Sequence, residues 1–126
     1  MSYPQIFEYD GEIYIVPETG SGRTLDMYRA VDFPDKWEKS VNLAKDVVFA
    51  DTTLLNRGGK LYALACDMER TKNSELVLFG VNENMKHCST ELGCVVNDPV
   101  TARAAGKMFE YGGKLIRVSQ DCSEEY

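Results

Sequence analysis

Four acidic residues lie where the strands of predicted hairpins begin or end, and acidic side chains brought together can transfer protons. They are Glu18, Asp51, Asp67 and Asp121. Crowded carboxylates raise one another's pKa, which is the property that acid–base chemistry on glycosidic bonds requires. Asp51 follows an apolar run and Glu18 follows a proline, so these two form the candidate catalytic pair. The competing interpretation is structural, because carboxylates at strand ends also cap turns and satisfy buried amides.

Three other residue types near the same strand ends suit ligand contacts. Arg103 can hold a carboxylate ionised or clamp an anionic ligand with two hydrogen bonds. The ring of Tyr3 can stack on a sugar ring, and an amide can bind hydroxyl groups. The predicted ligand-binding residues are Tyr3, Arg103, Gln120 and Asp121.

The strands that must position these residues are predicted by a sequence pattern that occurs three times. Each copy is an apolar pair, a polar turn ending in glycine and then an alternating apolar run, at 7–18, 54–65 and 108–119. Alternation around Asp-Gly or Gly-Gly predicts a β-hairpin. The turn glycines Gly11, Gly59 and Gly113 are 48 and 54 residues apart. A period near ~50 residues in a β-rich chain predicts repeat architecture.

The same order of strand patterns follows in each repeat. The first repeat predicts strands at 4–7, 12–16, 24–30 and 39–43, the second at 52–55, 60–66, 75–81 and 94–96, and the third at 107–109 and 114–118. The predicted fold class is therefore all-β, with propeller-like repeats of four-stranded antiparallel blades. The predicted blades span about 3–46 and 47–98, with half a blade at 99–126. In a propeller these strand ends meet at one mouth of the central channel.

About two and a half blades cannot close a ring, since propellers need roughly 4–8 blades. Open blade faces would be exposed to solvent. Two explanations remain: the chain is part of a longer protein, or two copies form a homodimer that completes a ring of about five blades.

Composition excludes several classes of function. A formal charge of −6 disfavours nucleic-acid partners, which select basic surfaces. No apolar run reaches the ~18 residues of a membrane span, and no signal peptide is visible, so no membrane partner and a cytoplasmic location are expected.

Metal and cofactor sites have no support in the sequence pattern. The four cysteines form no CxxC pair, which disfavours zinc, and no cofactor is expected. Cys88 and Cys94 flank a short connection, and the sequence leaves open whether they pair. The lone His87 is expected to be a surface residue.

Several motifs in this order carry a family resemblance: Tyr3-Pro4-Gln5-Ile6-Phe7-Glu8, Pro17-Glu18-Thr19, Leu25-Asp26-Met27-Tyr28-Arg29-Ala30, Phe33-Pro34-x-x-Trp37, Asp51-Thr52-Thr53-Leu54, Ala105-Gly106 and Gln120-Asp121-Cys122. They resemble the propeller domain of glucosamine inositolphosphorylceramide transferases, which also accompanies some sugar formyltransferases. That domain is distantly similar to the five-bladed propellers of arabinanase and β-xylosidase type glycoside hydrolases.

The resemblance implies a five-bladed propeller type and a carbohydrate ligand. Those hydrolases use two aspartates and a glutamate from different blades, and Asp51 and Glu18 match two such positions. The inner-strand position that often holds the hydrolase base carries Tyr3 and Pro4 here, without an aspartate. The chain departs from the hydrolase pattern at this point.

Two functions are therefore expected of the sequence. The first is a carbohydrate-binding or carbohydrate-active module, in which Asp51 would act as base or nucleophile and Glu18 as acid. The alternative is a non-catalytic assembly module that oligomerises through its blade faces.

Overall fold

The structure, a computed structural model, describes residues 2–71, 74–81 and 88–124. Within those ranges it contains ten β-strands, one short 3-10 turn (Gly20–Gly22) and no α-helix. The strands are β1 (Ser2–Tyr9), β2 (Glu12–Glu18), β3 (Thr24–Asp32), β4 (Lys36–Lys45), β5 (Phe49–Arg57), β6 (Lys60–Asp67), β7 (Glu75–Val81), β8 (Cys88–Asn97), β9 (Phe109–Tyr111) and β10 (Lys114–Ile116).

The strands form two four-stranded antiparallel sheets and one hairpin, each built from consecutive strands. The first sheet has the order β1-β2-β3-β4 and the second the order β5-β6-β7-β8, while β9 and β10 form a two-stranded third hairpin. The all-β class and the four-stranded antiparallel units are confirmed. No sheet closes on itself in the part of the chain that is described.

The three hairpin turns explain why each repeat reverses where it does. Two consecutive residues have positive φ in each turn, at Asp10-Gly11, Gly58-Gly59 and Gly112-Gly113. This is the backbone of a type I′ turn, whose twist matches that of the flanking strands. The hairpins predicted from these glycines are confirmed.

Alternation along β1 and β2 gives the first sheet two apolar faces. Cross-strand partners share a face, so Phe7 and Tyr14 lie on one side together with Val16, the partner of Gln5. We call this side the forward face, and in the third hairpin it is the side that carries Phe109. The opposite side is the rear face.

The forward face of the first sheet packs against the rear face of the second. Phe7 and Val16 share one buried core with Leu54, Leu61 and Ala63. A second core lies between the second sheet and the third hairpin, and it joins Leu64 and Cys66 to Ala102 and Met108. The sheets therefore stack face to face.

A buried glutamine fastens the first sheet to the second through the main chain. The side-chain amide of Gln5 donates to the carbonyl oxygen of Leu54 at 3.0 Å, and the amide N–H of Leu54 donates to Gln5 Oε1 at 2.6 Å. The pair satisfies both groups of one peptide position that is out of water. It fixes β1 against β5 close to the predicted site residues.

Candidate functional site

Asp51 and Tyr3 occupy equivalent irregularities in the first strands of their sheets. In β5 the pairing passes from Ala50–Cys66 to Thr53–Leu64, and β1 shows the same slip between Ser2 and Gln5. Asp51 has φ +50° and Tyr3 has φ +45°. Such bulges change the direction in which side chains point. A left-handed backbone at a non-glycine residue also costs about 1–3 kcal/mol of conformational free energy. Both side chains are thus turned out of the regular strand pattern.

Two side chains from the third repeat contact the carboxylate of Asp51. Arg103 forms an ion pair with it through Nε, and Gln120 Nε2 donates to the same Oδ2 at 3.1 Å. Gln120 Nε2 also donates to the carbonyl oxygen of Ala104 at 2.6 Å. Only 5% of Asp51 is exposed, so burial strengthens its attraction to the guanidinium. The ion pair also raises the pKa of Arg103.

Arg103 and Gln120 are neighbours because two loop segments run antiparallel. Ala104 and Ser119 form an isolated β-bridge, flanked by a 2.9 Å hydrogen bond from the amide of Gln120 to the carbonyl of Arg103. The bridge extends the hairpin beyond β9 and β10. It places a cation and an amide side by side against Asp51.

Glu18 reaches the same region from the end of β2. Its Oε2 accepts the backbone N–H of Asp51 at 2.9 Å, and its Oε1 accepts the hydroxyl of Ser2 at 3.2 Å. The bulge leaves the Asp51 amide outside the regular ladder, and the Glu18 carboxylate satisfies it. Glu18 therefore ties the first sheet to β5.

Tyr3 is linked to Asp51 indirectly, through the hydroxyl group of Thr53. Its hydroxyl lies 3.2 Å from Thr53 Oγ1, which donates to the carbonyl oxygen of Asp51 at 3.2 Å. Burial raises the pKa of Tyr3, the hydrogen bond with Thr53 opposes this, and the negative charge of Asp51 adds to the rise. Tyr3 also lines a cleft of about 190 Å³ together with Pro4, Gln5, Ile6, Gly106 and Lys107.

Two predicted carboxylates lie in local loop structure. Asp121 is exposed and accepts hydrogen bonds from the hydroxyl and amide of Ser123, which lower its pKa. Asp67 Oδ1 accepts the amides of Glu69 and Arg70 at 3.1 Å each. The cluster therefore brings together Tyr3, Glu18, Asp51, Arg103 and Gln120, while these two carboxylates make contacts within their own loops.

Sequence reasoning did not single out Thr53 or Arg117. It interpreted Cys66 as a small buried thiol, and Cys66 is a free, buried cysteine in the structure. Burial raises the pKa of the Cys66 thiol to about 11, the charge of Arg103 lowers it and that of Asp51 raises it. Arg117 donates through Nη2 to the carbonyl of Thr101 at 2.6 Å, and its buried Nη1 has no hydrogen-bond partner. A signal for Thr53 was present in the sequence, since it is a polar residue within an apolar strand.

Other predictions concern metals, cysteines and membranes. In the described ranges, no group of three or more His, Cys, Asp or Glu side chains is arranged to hold a metal ion. Cys94 is a free, exposed thiol, whereas His87 and the side chain of Cys88 lie outside the described part of the chain. Among the described helical elements, none is long and apolar enough to span a bilayer.

Comparison with known proteins decides the family. The family model for the N-terminal region of glucosamine inositolphosphorylceramide transferase 1 matches residues 1–126. The chain belongs to this family. That part of the sequence resemblance is confirmed.

Curated relatives agree with the family match. The protein named glucosamine inositolphosphorylceramide transferase 1 is 34% identical to this chain over 140 residues in Arabidopsis thaliana, and 32% identical over 133 residues in Oryza sativa subsp. japonica. These matches include all of this chain but only 17% and 18% of the two relatives. The chain therefore spans less than a fifth of their length. No solved structure matches it.

Proposed function

We propose that this chain is a carbohydrate-binding part of a propeller that serves sugar transfer. The relatives are named glucosamine inositolphosphorylceramide transferase 1, which supports a sugar-containing ligand. The observation that carries the proposal is the cluster in which Asp51, Arg103 and Gln120 meet. Three separate segments converge there on one polar site beside a cleft.

The propeller assignment rests on how the sheets repeat. Two consecutive four-stranded antiparallel meanders stack face to face, and a third hairpin continues the series. This is the arrangement of neighbouring blades, and the bulges at Tyr3 and Asp51 then lie at one mouth of the channel. We propose the five-bladed type on the family resemblance alone.

The cleft beside Tyr3 suits one sugar unit. At about 190 Å³ it is smaller than the ~300–1,000 Å³ pockets that hold drug-sized ligands. The tyrosine supplies an aromatic surface and a hydroxyl, and Lys107 supplies an exposed cation on the same wall. A sugar bearing an anionic group would therefore find complementary chemistry there.

Binding fits the geometry better than hydrolysis does. Asp51 is engaged by Arg103 and Gln120, and both oxygens of Glu18 accept hydrogen bonds from the protein. A general acid must instead direct its proton to the leaving oxygen of the substrate. The catalytic alternative keeps Asp51 as base or nucleophile and Glu18 as acid, and it requires these contacts to rearrange.

Titration calorimetry with glucosamine and inositol phosphate tests the proposal. We expect Asp51→Asn to weaken binding at least tenfold, with Asp121→Asn as a matched control that leaves it unchanged. Because loss of the ion pair also lowers stability, Tyr3→Phe is measured alongside, and it should weaken binding while retaining the fold by circular dichroism. Equal binding by wild type, Asp51→Asn and Tyr3→Phe would contradict the proposed site, as would absence of binding to both ligands.

Turnover separates the catalytic alternative from binding. Sugar release or transfer by the wild-type chain that disappears in Asp51→Asn would support catalysis. Binding without any turnover would support the module proposed here.

A further inference from the structure

Two cysteines from different repeats lie beside the Asp51 cluster. Cys66 is the cross-strand partner of Ala50, the residue before Asp51, and it is fully buried in the core between the second sheet and the third hairpin. Cys122 follows two residues after Gln120, whose side chain donates to Asp51. Both cysteines are free thiols. The hydrogen bond from Gln120 to Asp51 therefore has one thiol close to each of its ends.

The backbone around Cys122 directs its side chain toward the second sheet. Every second residue of an extended segment lies on the same side, so Cys122 shares the side of Gln120, which faces Asp51. The amide of Cys122 donates to the carbonyl of Pro99 at 3.4 Å. Ala102, in the same turn as Pro99, shares one buried core with Cys66. The turn at 98–102 thus contacts the surroundings of both cysteines.

Electrostatic interactions agree with this placement. Burial is the main cause of the raised pKa of Cys66, and the negative charge of Cys122 adds to the rise. The pKa of Arg103 is raised first by its hydrogen bond to Asp51, and the charges of both cysteines add to it. Coulomb interactions weaken with distance, so a guanidinium that interacts with both thiolates lies near both.

The segment that carries Gln120 is attached to the molecule by a few backbone contacts. After β10 ends at Ile116, these are the Ala104–Ser119 bridge and single hydrogen bonds from the amides of Gln120 and Cys122. A covalent bond at Cys122 would add a fixed point two residues from Gln120. It would limit the movement of Gln120 away from Asp51.

We propose that Cys66 and Cys122 form a disulfide when the chain meets a disulfide oxidant, and that this bond holds Gln120 against Asp51. The ligand site then responds to the redox state of the two thiols. This redox response of binding rests on the proposed function, whereas the disulfide itself depends on the placement of the thiols alone.

The reaction is thiol–disulfide exchange with a small disulfide such as oxidised glutathione. The half-buried Cys122, as its thiolate, attacks one glutathione sulfur, and the departing glutathione thiolate takes up a proton. The thiolate of Cys66 then attacks Sγ of Cys122 and releases the second glutathione. Two protein thiols are oxidised, and one glutathione disulfide is reduced to two thiols. Because burial raises the pKa of Cys66 to about 11, the second step is faster at higher pH.

Peptide mapping after refolding tests the bond. The reduced full chain is unfolded in urea and refolded at about pH 8 with reduced and oxidised glutathione, so that Cys66 is accessible until the native fold forms. Trypsin places Cys66 in peptide 61–70 and Cys122 in peptide 118–126, whereas Cys88 and Cys94 share peptide 87–103. We expect 61–70 and 118–126 to be joined in most of the refolded chain, and to separate after reduction.

Two variants decide whether the bond is specific. Cys122→Ser should abolish the joined peptides, and Cys94→Ser, which removes an exposed free thiol, is the matched control that should retain them. Oxidation should raise the Tm of the wild type by at least about 5 °C, because the bond restricts the unfolded chain, and should leave that of Cys122→Ser unchanged. A refolded wild type in which Cys66 stays free, or is joined to peptide 87–103, would overturn the proposal.

Titration calorimetry with glucosamine and inositol phosphate compares the oxidised and the reduced chain. The oxidised chain should bind at least about threefold more tightly, since a fixed segment loses less freedom on binding. Cys122→Ser should bind equally after either treatment. Equal affinity of the oxidised and the reduced wild type would overturn the redox response of the site. If neither state binds while the peptides are joined, the proposed function fails and the disulfide stands.

Discussion

At the scale of single residues, Glu18 couples the first sheet to the candidate site. Its carboxylate accepts one hydrogen bond from Ser2 and one from the amide of Asp51. The second bond satisfies the amide of Asp51, a residue with left-handed backbone. Any contact between Asp51 and the proposed ligand would therefore depend on Glu18, which need not touch the ligand itself.

Replacing Glu18 by alanine should cost about 1–3 kcal/mol in the free energy of unfolding, because it leaves the Asp51 amide without its partner. The control is Glu8→Ala on exposed β1 surface, which should stay within about 0.5 kcal/mol of wild type. Urea unfolding measures both. Equal losses in the two variants would show that the Glu18 bond to Asp51 contributes nothing measurable.

Part of the site could be predicted from the repeats, and local geometry decided the rest. Matching strand ends predicted that Asp51, Arg103 and Gln120 would lie at one end of the sheets. Asp121 follows Gln120 directly, and neighbouring side chains of extended backbone point in opposite directions. Because Gln120 bonds to Asp51, Asp121 is directed to its own loop and bonds to Ser123.

At the scale of elements, Asp26 joins β3 to the outer strand β4. Its carboxylate accepts hydrogen bonds from Asn42 at 2.7 Å and Thr24 at 3.1 Å, and it pairs with Lys39 at 2.9 Å. Burial raises the pKa of Asp26, but these hydrogen bonds outweigh it and hold the pKa below its ordinary value. The outer strand is therefore attached most strongly when Asp26 is ionised.

The loss of unfolding free energy caused by Asp26→Asn should depend on pH because of that lowered pKa. Stability from a depressed carboxyl pKa is present above the ordinary value of 3.8 and is lost as pH falls through the folded-state value. At pH 7 the variant should lose about 1–3 kcal/mol of unfolding free energy, since hydrogen bonds to a charged group are lost. The difference in unfolding free energy between the variant and wild type should become smaller below pH 3.8.

Urea unfolding at neutral and acidic pH measures this gap. Asp35→Asn in the exposed β3–β4 turn is the control, and its unfolding free energy at neutral pH should stay within about 0.5 kcal/mol of wild type. A gap for Asp26→Asn that persists unchanged in acid would contradict the proposed role of its charge.

Hairpins were predictable because turn glycines and alternating residues are local signals. The predicted strand 60–66 compares with an observed β6 of Lys60–Asp67, and 75–81 coincides with β7. The bulge at Tyr3 was not predictable, since tyrosine has no preference for left-handed backbone. Its hydroxyl contacts Thr53 of β5, a residue distant in sequence, so the local sequence carries no signal for this arrangement.

At the scale of the whole molecule, identical residues have different surroundings. Phe7 lies in the core between the two sheets, while Phe109 lies at the free end of the stack. Sequence similarity among the repeats predicted the hairpins but could not distinguish covered from uncovered faces. Which repeat has a neighbour depends on the number of repeats in the stack.

Phe7→Ala and Phe109→Ala should differ in their loss of unfolding free energy because the two residues have different surroundings. In dilute solution Phe7→Ala should cost about 3–5 kcal/mol of unfolding free energy, because it opens a cavity in the core. Phe109→Ala should change the same quantity by less than about 0.5 kcal/mol, as surface substitutions do. Thermal or urea unfolding at the lowest measurable concentration provides the comparison. Similar losses would mean that the third hairpin is covered within a single chain.

The matched bulges give Tyr3 and Asp51 the same left-handed backbone at equivalent positions of the two sheets. Aspartate tolerates this backbone better than tyrosine does, so Tyr3→Asp grafts a second acid onto a scaffold that is already shaped to present one. An acid installed there faces the same cleft as Lys107. The first strand of each sheet thus contains one bulged position, Tyr3 or Asp51, at which an acidic side chain can be placed.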